Sequence, residues 1–265
     1  MKTLIYHGRN TALFFYDGAT GILVDGIHNG KNVGMSEMSG VWEHDLHKKT
    51  GIFGRTDALV FTHLHPDHFC EEKVNIYLEE NNRTSLYGPS WEKTNMRKDF
   101  ISDRLGSVKA GTAQIITMKT IHDGDMYRAD PHESLIIKMG SETFFIAGDA
   151  ELFEPDAGEI FQVTDHVDMA FVNLYQLGGK TGMEFLNRLK PDRILLYHLP
   201  EPEDDEWNYC PIGRQSVKRF RKQYGVEAET LEHMKWIDGE RPLWSKGERR
   251  KSGVGKSSMD FVAYF

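Results

Sequence analysis

Residues 58–68 read Ala58-Leu59-Val60-Phe61-Thr62-His63-Leu64-His65-Pro66-Asp67-His68. The stretch begins with apolar and β-branched residues, which is typical of a buried strand. Side chains alternate along extended backbone, so His63 and His65 leave the strand end on the same side. Pro66 keeps His65 out of the helical backbone region. The stretch therefore predicts a buried strand with histidine and aspartate side chains at its carboxyl end.

The end of this strand is unusually rich in metal-ligand residue types. His63, His65, Asp67 and His68 all fall within six residues. Neutral imidazole and carboxylate groups are ligands of zinc and related divalent metals. A histidine that occurs alone is more often a packed or exposed residue, but this cluster is too dense for that interpretation. The spacing predicts a metal site.

Strand and helix patterns alternate on both sides of the cluster. Strands are predicted at residues 3–6, 12–16, 21–25, 85–87, 114–121, 134–139, 143–146, 169–174 and 193–197, and helices at residues 69–80, 183–189 and 212–224. The stretch from Gly26 to Gly54 shows no periodicity, which predicts a long loop. Neither a repeat nor a linker divides the chain, so a single domain over residues 1–265 is expected.

The composition disfavours several classes of protein. With 32 basic and 40 acidic side chains, the formal net charge is −8, which disfavours an extended surface for nucleic acid or anionic membrane. The basic run from Lys246 to Lys256 is interpreted as a solvated loop. No apolar run approaches the ~20 residues of a membrane-spanning helix, and the first residues become polar too early for a signal peptide. Only two cysteines are present, so a reducing, cytoplasmic location is expected.

The pattern His63-x-His65-x-Asp67-His68 resembles the signature of the metallo-β-lactamase-fold hydrolases. That family has three further ligands downstream: a histidine, an aspartate in a short Gly-Asp element, and a histidine at a strand end. Gly148-Asp149 matches the second of these and His198 the third. The resemblance covers about residues 4–198, and the layout looks most like the short bacterial lactonases. It implies an α/β fold, a four-layer αββα sandwich of two mixed β-sheets with helices outside.

The remaining histidine of the family pattern has two candidates. His122 follows an alternating strand pattern, as His63 does. His132 lies in Pro131-His132-Glu133-Ser134, which lacks the glycines and the spacing of a motif variant found in the family. We favour His122 over His132.

The resemblance implies two divalent metal ions, with zinc favoured and manganese or iron possible. The first ion would be held by His63, His65 and His122, the second by Asp67, His68 and His198, with Asp149 bridging the pair. Two ions roughly 3.5–4 Å apart can share a water and lower its pKa toward neutrality. Asp67 would then act as the catalytic residue that orients the hydroxide and passes a proton to the leaving group. Asp25 is a candidate to orient a ligand histidine, and Tyr175 and Tyr197 are candidate donors to a developing oxyanion.

The activity implied by the resemblance is hydrolysis of a small ester, lactone, amide or phosphoester. A nuclease or phosphodiesterase of the same fold is the main alternative, although the aromatic and basic interleaving of RNA-binding proteins is missing. A non-catalytic metal-binding protein is a second alternative, against which the complete ligand set argues. Di-iron oxygen chemistry is disfavoured because His65 stands where such sites carry an acidic ligand. We expect a small-molecule substrate and neither a nucleic-acid nor a membrane partner; the substrate and the oligomeric state stay open.

Overall fold

The computed structural model describes residues 2–30, 35–48, 51–89, 94–96, 106–153 and 159–237. The basic run from Lys246 to Lys256 lies outside these ranges. The strands are β1 (Leu4–His7), β2 (Leu13–Tyr16), β3 (Gly21–Val24), β4 (Thr56–Val60), β5 (Ser85–Tyr87), β6 (Ser107–Ala110), β7 (Ala113–Lys119), β8 (Glu133–Met139), β9 (Glu142–Ile146), β10 (Val167–Val172), β11 (Pro191–Leu196), β12 (Glu227–Thr230) and β13 (Lys235–Ile237). The α-helices are α1 (Gly40–His47), α2 (Glu71–Glu80), α3 (Ile160–Val163), α4 (Leu174–Gly178), α5 (Lys180–Leu189) and α6 (Tyr209–Tyr224).

The strands form two mixed sheets. The first has six strands in the order β13-β1-β2-β3-β4-β5, in which β4 runs parallel to both of its neighbours. The second has seven strands in the order β12-β11-β10-β9-β8-β7-β6. Its β9 to β12 half is parallel and its β6 to β9 half is antiparallel. The parallel halves place several strand ends at one edge of each sheet.

The two sheets pack face to face around one apolar cluster. Val24 and Val60 contribute to it from the first sheet, and Ile146, Phe171 and Leu195 from the second. All five side chains are fully buried. This cluster forms the inner layer of contact between the sheets, as in other aligned sheet packings.

Helices cover the outer face of each sheet. Leu59, next to Val60 on β4, points the other way and packs with the α1 and α2 residues Trp42 and Tyr77. On the second sheet, Ala170 packs with the α6 residue Phe220 in the corresponding outer cluster. Since the central strands are buried on both faces, they consist of continuous apolar runs rather than alternating ones. The predicted αββα sandwich is confirmed.

One helix lies where the sequence predicted a loop. Helix α1 falls inside the stretch from Gly26 to Gly54, where Ser39 caps it by accepting from the backbone N–H of Trp42. Trp42 is buried and donates its indole N–H to the Gly26 carbonyl. Such a short helix is marginal by its own propensity and is stabilised by tertiary contacts of this kind. In the part of the chain that the structure describes, none of the helices is long and apolar enough to span a membrane.

The outer helical layer can be tested with two aliphatic residues of α2. Leu78 is fully buried, whereas Ile76, two positions earlier, is 44% exposed. We expect Leu78→Ala to lower the free energy of unfolding by about 2–5 kcal/mol, because it removes a packed side chain and leaves a cavity. Ile76→Ala should change it by less than about 0.5 kcal/mol. Urea unfolding of both variants measures this, and equal losses would contradict the packing of α2 described above.

Candidate metal centre

The seven predicted ligands all follow strand ends at one edge of the sandwich. His63, His65, Asp67 and His68 follow β4 in the first sheet. His122 follows β7, Asp149 follows β9, and His198 follows β11 in the second sheet. Strands β7, β9 and β11 run in the same direction, so their carboxyl ends share an edge. The structure therefore brings side chains from both sheets to one place, although His63 and His198 are 135 positions apart in the sequence.

The ligand atoms of these residues form three overlapping groups, each with its atoms within 4.8 Å of one another. The groups are His63, His65 and His122; His63, His68 and Asp149; and Asp67, His68 and His198. The first and the third are the two ligand sets that the family resemblance implies. The second group joins them through Asp149.

The Asp149 carboxylate lies at the centre of this arrangement. Its Oδ2 atom is 3.9 Å from His63 Nε2, 3.5 Å from His68 Nε2 and 3.8 Å from His122 Nε2. Its Oδ1 atom is 3.2 Å from His198 Nδ1. Asp149 is thus placed between the two sets, at the position expected of a bridging ligand.

The Nδ1 atoms of three histidines are held by partners outside the cluster. His68 Nδ1 donates to Asp25 Oδ2 at 2.9 Å, which is the role predicted for Asp25. His122 Nδ1 donates to the carbonyl of Asp123 at 2.6 Å. His63 Nδ1 lies 3.1 Å from the hydroxyl of Thr62, which donates to Asp25. In its neutral form each of these rings, protonated at Nδ1, has a lone pair on Nε2, the atom that faces Asp149.

These inner nitrogens provide a test of whether the site fits a metal. The Nε2 atoms of His63, His68 and His122 are buried and have no hydrogen-bond partner. A buried polar atom without a partner costs about 1–3 kcal/mol. Three such lone pairs beside a carboxylate are a donor set that a divalent cation satisfies. The residues present therefore fit the metal centre that the fold family implies.

The charges of the site also favour the binding of a cation. Burial opposes the charged form of His198, but Asp149 and Asp67 outweigh it and raise the pKa of His198 to about 9. His68 behaves similarly: despite complete burial, Asp149 and Asp25 hold its pKa well above the usual value. Burial would raise the pKa of Asp67 and Asp149, yet the neighbouring imidazoles lower both. Without a metal, protons on imidazoles balance the buried carboxylates, so metal binding replaces protons at the same place.

His132, the alternative to His122, lies behind the site and supports it. Its Nε2 accepts from the backbone N–H of Asp149 at 2.9 Å, and its Nδ1 donates to Thr120 Oγ1 at 2.7 Å. Complete burial lowers the pKa of His132 to about 3, so the ring is neutral. Both ring nitrogens are already used, whereas His122 directs a free lone pair toward Asp149. The geometry supports the choice of His122.

Sequence reasoning did not find Asn173, which also holds Asp149. Asn173 follows β10 at the edge where the other site residues lie, and that strand-end position was the available signal. Its Nδ2 donates to Asp149 Oδ1 at 2.9 Å, and its side chain also caps α4. Asn173 therefore holds the carboxylate from the side of β10, while the ring of His132 holds the backbone N–H of the same residue.

The two tyrosines proposed as oxyanion donors differ in position. Tyr197 is fully buried in the cluster between the sheets, so a substrate cannot reach its hydroxyl. Tyr175 is 54% exposed, and its hydroxyl lies 3.3 Å from that of Tyr209. A third tyrosine, Tyr127, was not anticipated; its ring centroid lies 4.9 Å from that of His65 and 5.2 Å from that of His122. Tyr127 and Tyr175 are thus both accessible, at 40% and 54% exposure, whereas Tyr197 is not.

Comparison with known structures identifies the fold. The chain matches CmlA, a diiron β-hydroxylase from Streptomyces venezuelae, at 15% identity and a TM-score of 0.60, covering 89% of this chain but only 54% of the hydroxylase. It matches the metallo-β-lactamase fold protein YhfI from Bacillus subtilis at 15% identity and a TM-score of 0.60, covering 89% and 98% of the two chains. A possible metal-dependent hydrolase from Veillonella parvula matches at 15% identity and a TM-score of 0.62, covering 89% and 99%.

These likenesses show that the chain has the metallo-β-lactamase fold, as the sequence resemblance implied. The chain spans about half the length of CmlA and nearly the whole length of the other two proteins. No protein-family model matches the sequence, and no curated protein matches it. At this level of identity, the likeness concerns the fold, and the activity has to be argued from the site.

Gly148 offers a test of how the site is positioned. Its φ is +59°, and an added Cβ would lie 2.7 Å from His132 Nε2 and 2.9 Å from Thr62 Cβ. We expect Gly148→Ala to lower the free energy of unfolding by at least about 1–2 kcal/mol from the backbone conformation alone. It should also reduce bound metal, because Asp149 is displaced.

Gly178→Ala is the matched control, since an added Cβ there meets nothing within 4 Å. Urea unfolding and elemental analysis of both variants measure the effects. A Gly148→Ala protein as stable and as rich in metal as the Gly178→Ala protein would contradict this account of Asp149.

Proposed function

We propose that this chain is a metal-dependent hydrolase that binds two divalent ions and cleaves a small ester, lactone, amide or phosphoester. The observation that carries the proposal is the set of three buried imidazole nitrogens, without hydrogen-bond partners, directed at the Asp149 carboxylate. A scaffold function alone gives no reason to bury such a set at an open edge of the sandwich. Metal-dependent chemistry gives such a reason, because the ions need ligands in fixed positions and one side that a substrate can reach.

The proposed ligands divide into two sets that share Asp149. His63, His65 and His122 would hold the first ion, Asp67, His68 and His198 would hold the second, and Asp149 would be shared by the two sets. Bound ions would supply the positive charge that polarises the scissile bond and acidifies water. The remaining work, holding the ligands, orienting water and moving a proton, belongs to side chains of this chain.

Asp67 is the proposed catalytic residue. Its Oδ2 lies 3.1 Å from His198 Nε2, and its backbone carbonyl accepts from the hydroxyl of Thr11 at 3.1 Å, so the side chain starts from a fixed backbone position. The lowered pKa keeps the carboxylate ionised near neutral pH. An ionised, fixed carboxylate can orient a water by accepting its hydrogen and can then pass a proton to the leaving group. A serine or cysteine nucleophile is not required.

The electrostatics beside the site favour small substrates over polyanions. The segment between β7 and β8, which supplies His122, also carries Asp123, Asp125 and Asp130, and its Arg128 is paired with Glu151 at 2.7 Å. Acidic side chains repel a phosphate backbone. We therefore propose a small-molecule substrate and no nucleic-acid partner. We also retain the cytoplasmic location as a proposal, because Cys70 and Cys210 are both free thiols.

The identity of the ions is a separate part of the proposal. Imidazole and carboxylate ligands suit zinc, manganese and iron alike. CmlA, which shares the fold, is described as a diiron enzyme. We propose zinc, because His65 provides an imidazole in the first set where a di-iron site would have a carboxylate.

Metal content tests the proposed site directly. We expect the protein to retain about two divalent ions per chain after zinc reconstitution. His122→Ala should lose the first ion because it removes one of three ligands, and His132→Asn should retain more metal because position 132 supplies no ligand atom. Elemental analysis of the wild type and both variants measures this. Less than half an ion per wild-type chain would exclude a two-metal site, and selective loss in His132→Asn would reverse the assignment.

The role of Asp67 is tested by Asp67→Asn. Asparagine retains an oxygen donor but loses the charge that accepts and passes a proton, so turnover should fall by about 10²–10⁴ while metal content falls much less. The rate is measured on the best substrate from a screen of lactones, thioesters and phosphodiesters, with metal determined on the same samples. Asp192→Asn is a control, because the Asp192 side chain is 66% exposed and pairs with His166, which is also exposed. Full metal with near-normal turnover in Asp67→Asn would show that the carboxylate is only structural.

A further inference from the structure

His65 differs from the other ligands of the first proposed ion in how its ring is held. His63 and His122 are held at Nδ1, whereas the Nε2 atom of His65 lies 3.1 Å from Asp130 Oδ2. Asp130 belongs to the segment between β7 and β8, far from His65 in sequence. An ionised carboxylate only accepts hydrogen bonds, so His65 must donate its Nε2–H.

We propose that Asp130 is a positioning residue for the metal centre, which fixes His65 so that Nδ1 binds the first ion. The inference rests on the proposed metal site. It follows from the tautomer: a neutral imidazole protonated at Nε2 has its lone pair on Nδ1. A half-turn of the ring would put the carbon Cδ2 in place of Nδ1, and the hydrogen bond to Asp130 selects against that orientation.

The surroundings of His65 leave the ring orientation to Asp130. The backbone is fixed, because the His65 carbonyl accepts from the N–H groups of His68 and Phe69. The ring then lies among other rings: its centroid is 4.6 Å from those of His63 and His122 and 4.9 Å from that of Tyr127. Ring packing restricts the position of the imidazole plane but does not distinguish nitrogen from carbon. The hydrogen bond to Asp130 does distinguish them, because only a ring nitrogen can donate it.

Partial burial makes this pair stronger than an ordinary surface contact. The side chains of His65 and Asp130 are 21% and 37% exposed. A carboxylate that accepts from a ligand imidazole raises the basicity of the opposite nitrogen and fixes its direction. Loss of such an outer partner lowers metal affinity by about 10–100-fold. Asp130 would thus act on His65 as Asp25 acts on His68.

The experiment measures metal binding without any substrate. Wild-type protein and Asp130→Ala are stripped of metal and titrated with Zn²⁺ alone against a chromophoric chelator, and the absorption spectrum of the Co²⁺-loaded forms is recorded. We expect one of the two ions to bind about 10–100-fold more weakly in Asp130→Ala, with an altered Co²⁺ spectrum, and the other ion to be unchanged. Asp130→Asn, which keeps an oxygen acceptor, should restore part of the affinity.

Asp125→Ala is the matched control, because Asp125 is an exposed acidic residue of the same segment. It removes the same charge without touching His65, so affinity and spectrum should stay those of the wild type. Equal weakening in Asp125→Ala, or wild-type affinity and spectrum in Asp130→Ala, would overturn the proposal. If Asp130→Ala does not fold, Asp130→Leu, which is similar in size but accepts no hydrogen bond, decides instead, and wild-type affinity and spectrum in that variant overturn the proposal.

The outcomes also separate this inference from the proposed function. If the wild type binds two ions and Asp130→Ala binds them equally well, only the role of Asp130 is wrong. If the wild type binds no divalent ion, the metal centre and the role of Asp130 both fail.

Discussion

The contact between the Asp149 carboxylate and the surrounding imidazoles is the interaction on which the site depends. Four histidines from both sheets approach its two oxygens within 3.9 Å. The Asp149 side chain is only 14% exposed, and a carboxylate so largely removed from water is tolerated only when it is paired. The pairing here is supplied by strand ends, so the position of each strand in the two sheets determines where positive charge can be placed. The order of the strands therefore determines both the fold and the position of the charged groups at the site.

Much of the fold could be predicted from the sequence, because the central strands are continuous apolar runs. Strand β5 was predicted with its observed limits, and β9 with limits one residue short of those observed. Helix α1 could not be predicted, because the burial of Trp42 and its contact with Gly26 fix it, and both depend on distant parts of the chain.

The candidate site was predictable to the extent that its residues follow strand ends. That rule identifies His63 and His122 and could have identified Asn173. It cannot distinguish a side chain that faces the cluster from one that faces the core, which is why Tyr197 was a candidate and proved buried. Nor can it show that the nitrogens of His132 are both occupied, since this depends on Thr120 and on the backbone of Asp149.

The segment between β7 and β8 combines several supporting roles in few residues. It supplies His122, places the Tyr127 ring beside those of His65 and His122, brings Asp130 to His65 and brings His132 to the backbone of Asp149. A change in this segment therefore acts on several ligands at once. Substrate preference and metal affinity are expected to be coupled through it, in contrast to folds in which separate loops control the two properties.

The origin of the ligands in both sheets has a mechanical consequence. An ion held by residues that follow β4 in one sheet and β7, β9 and β11 in the other would be a cross-link between the two sheets. Like other cross-links between distant parts of a chain, it opposes separation of the parts it joins, and its binding energy adds to the folding energy. Metal supply in the cell would then set the lifetime of the folded chain as well as its activity, and the population deprived of metal would be the one exposed to proteases.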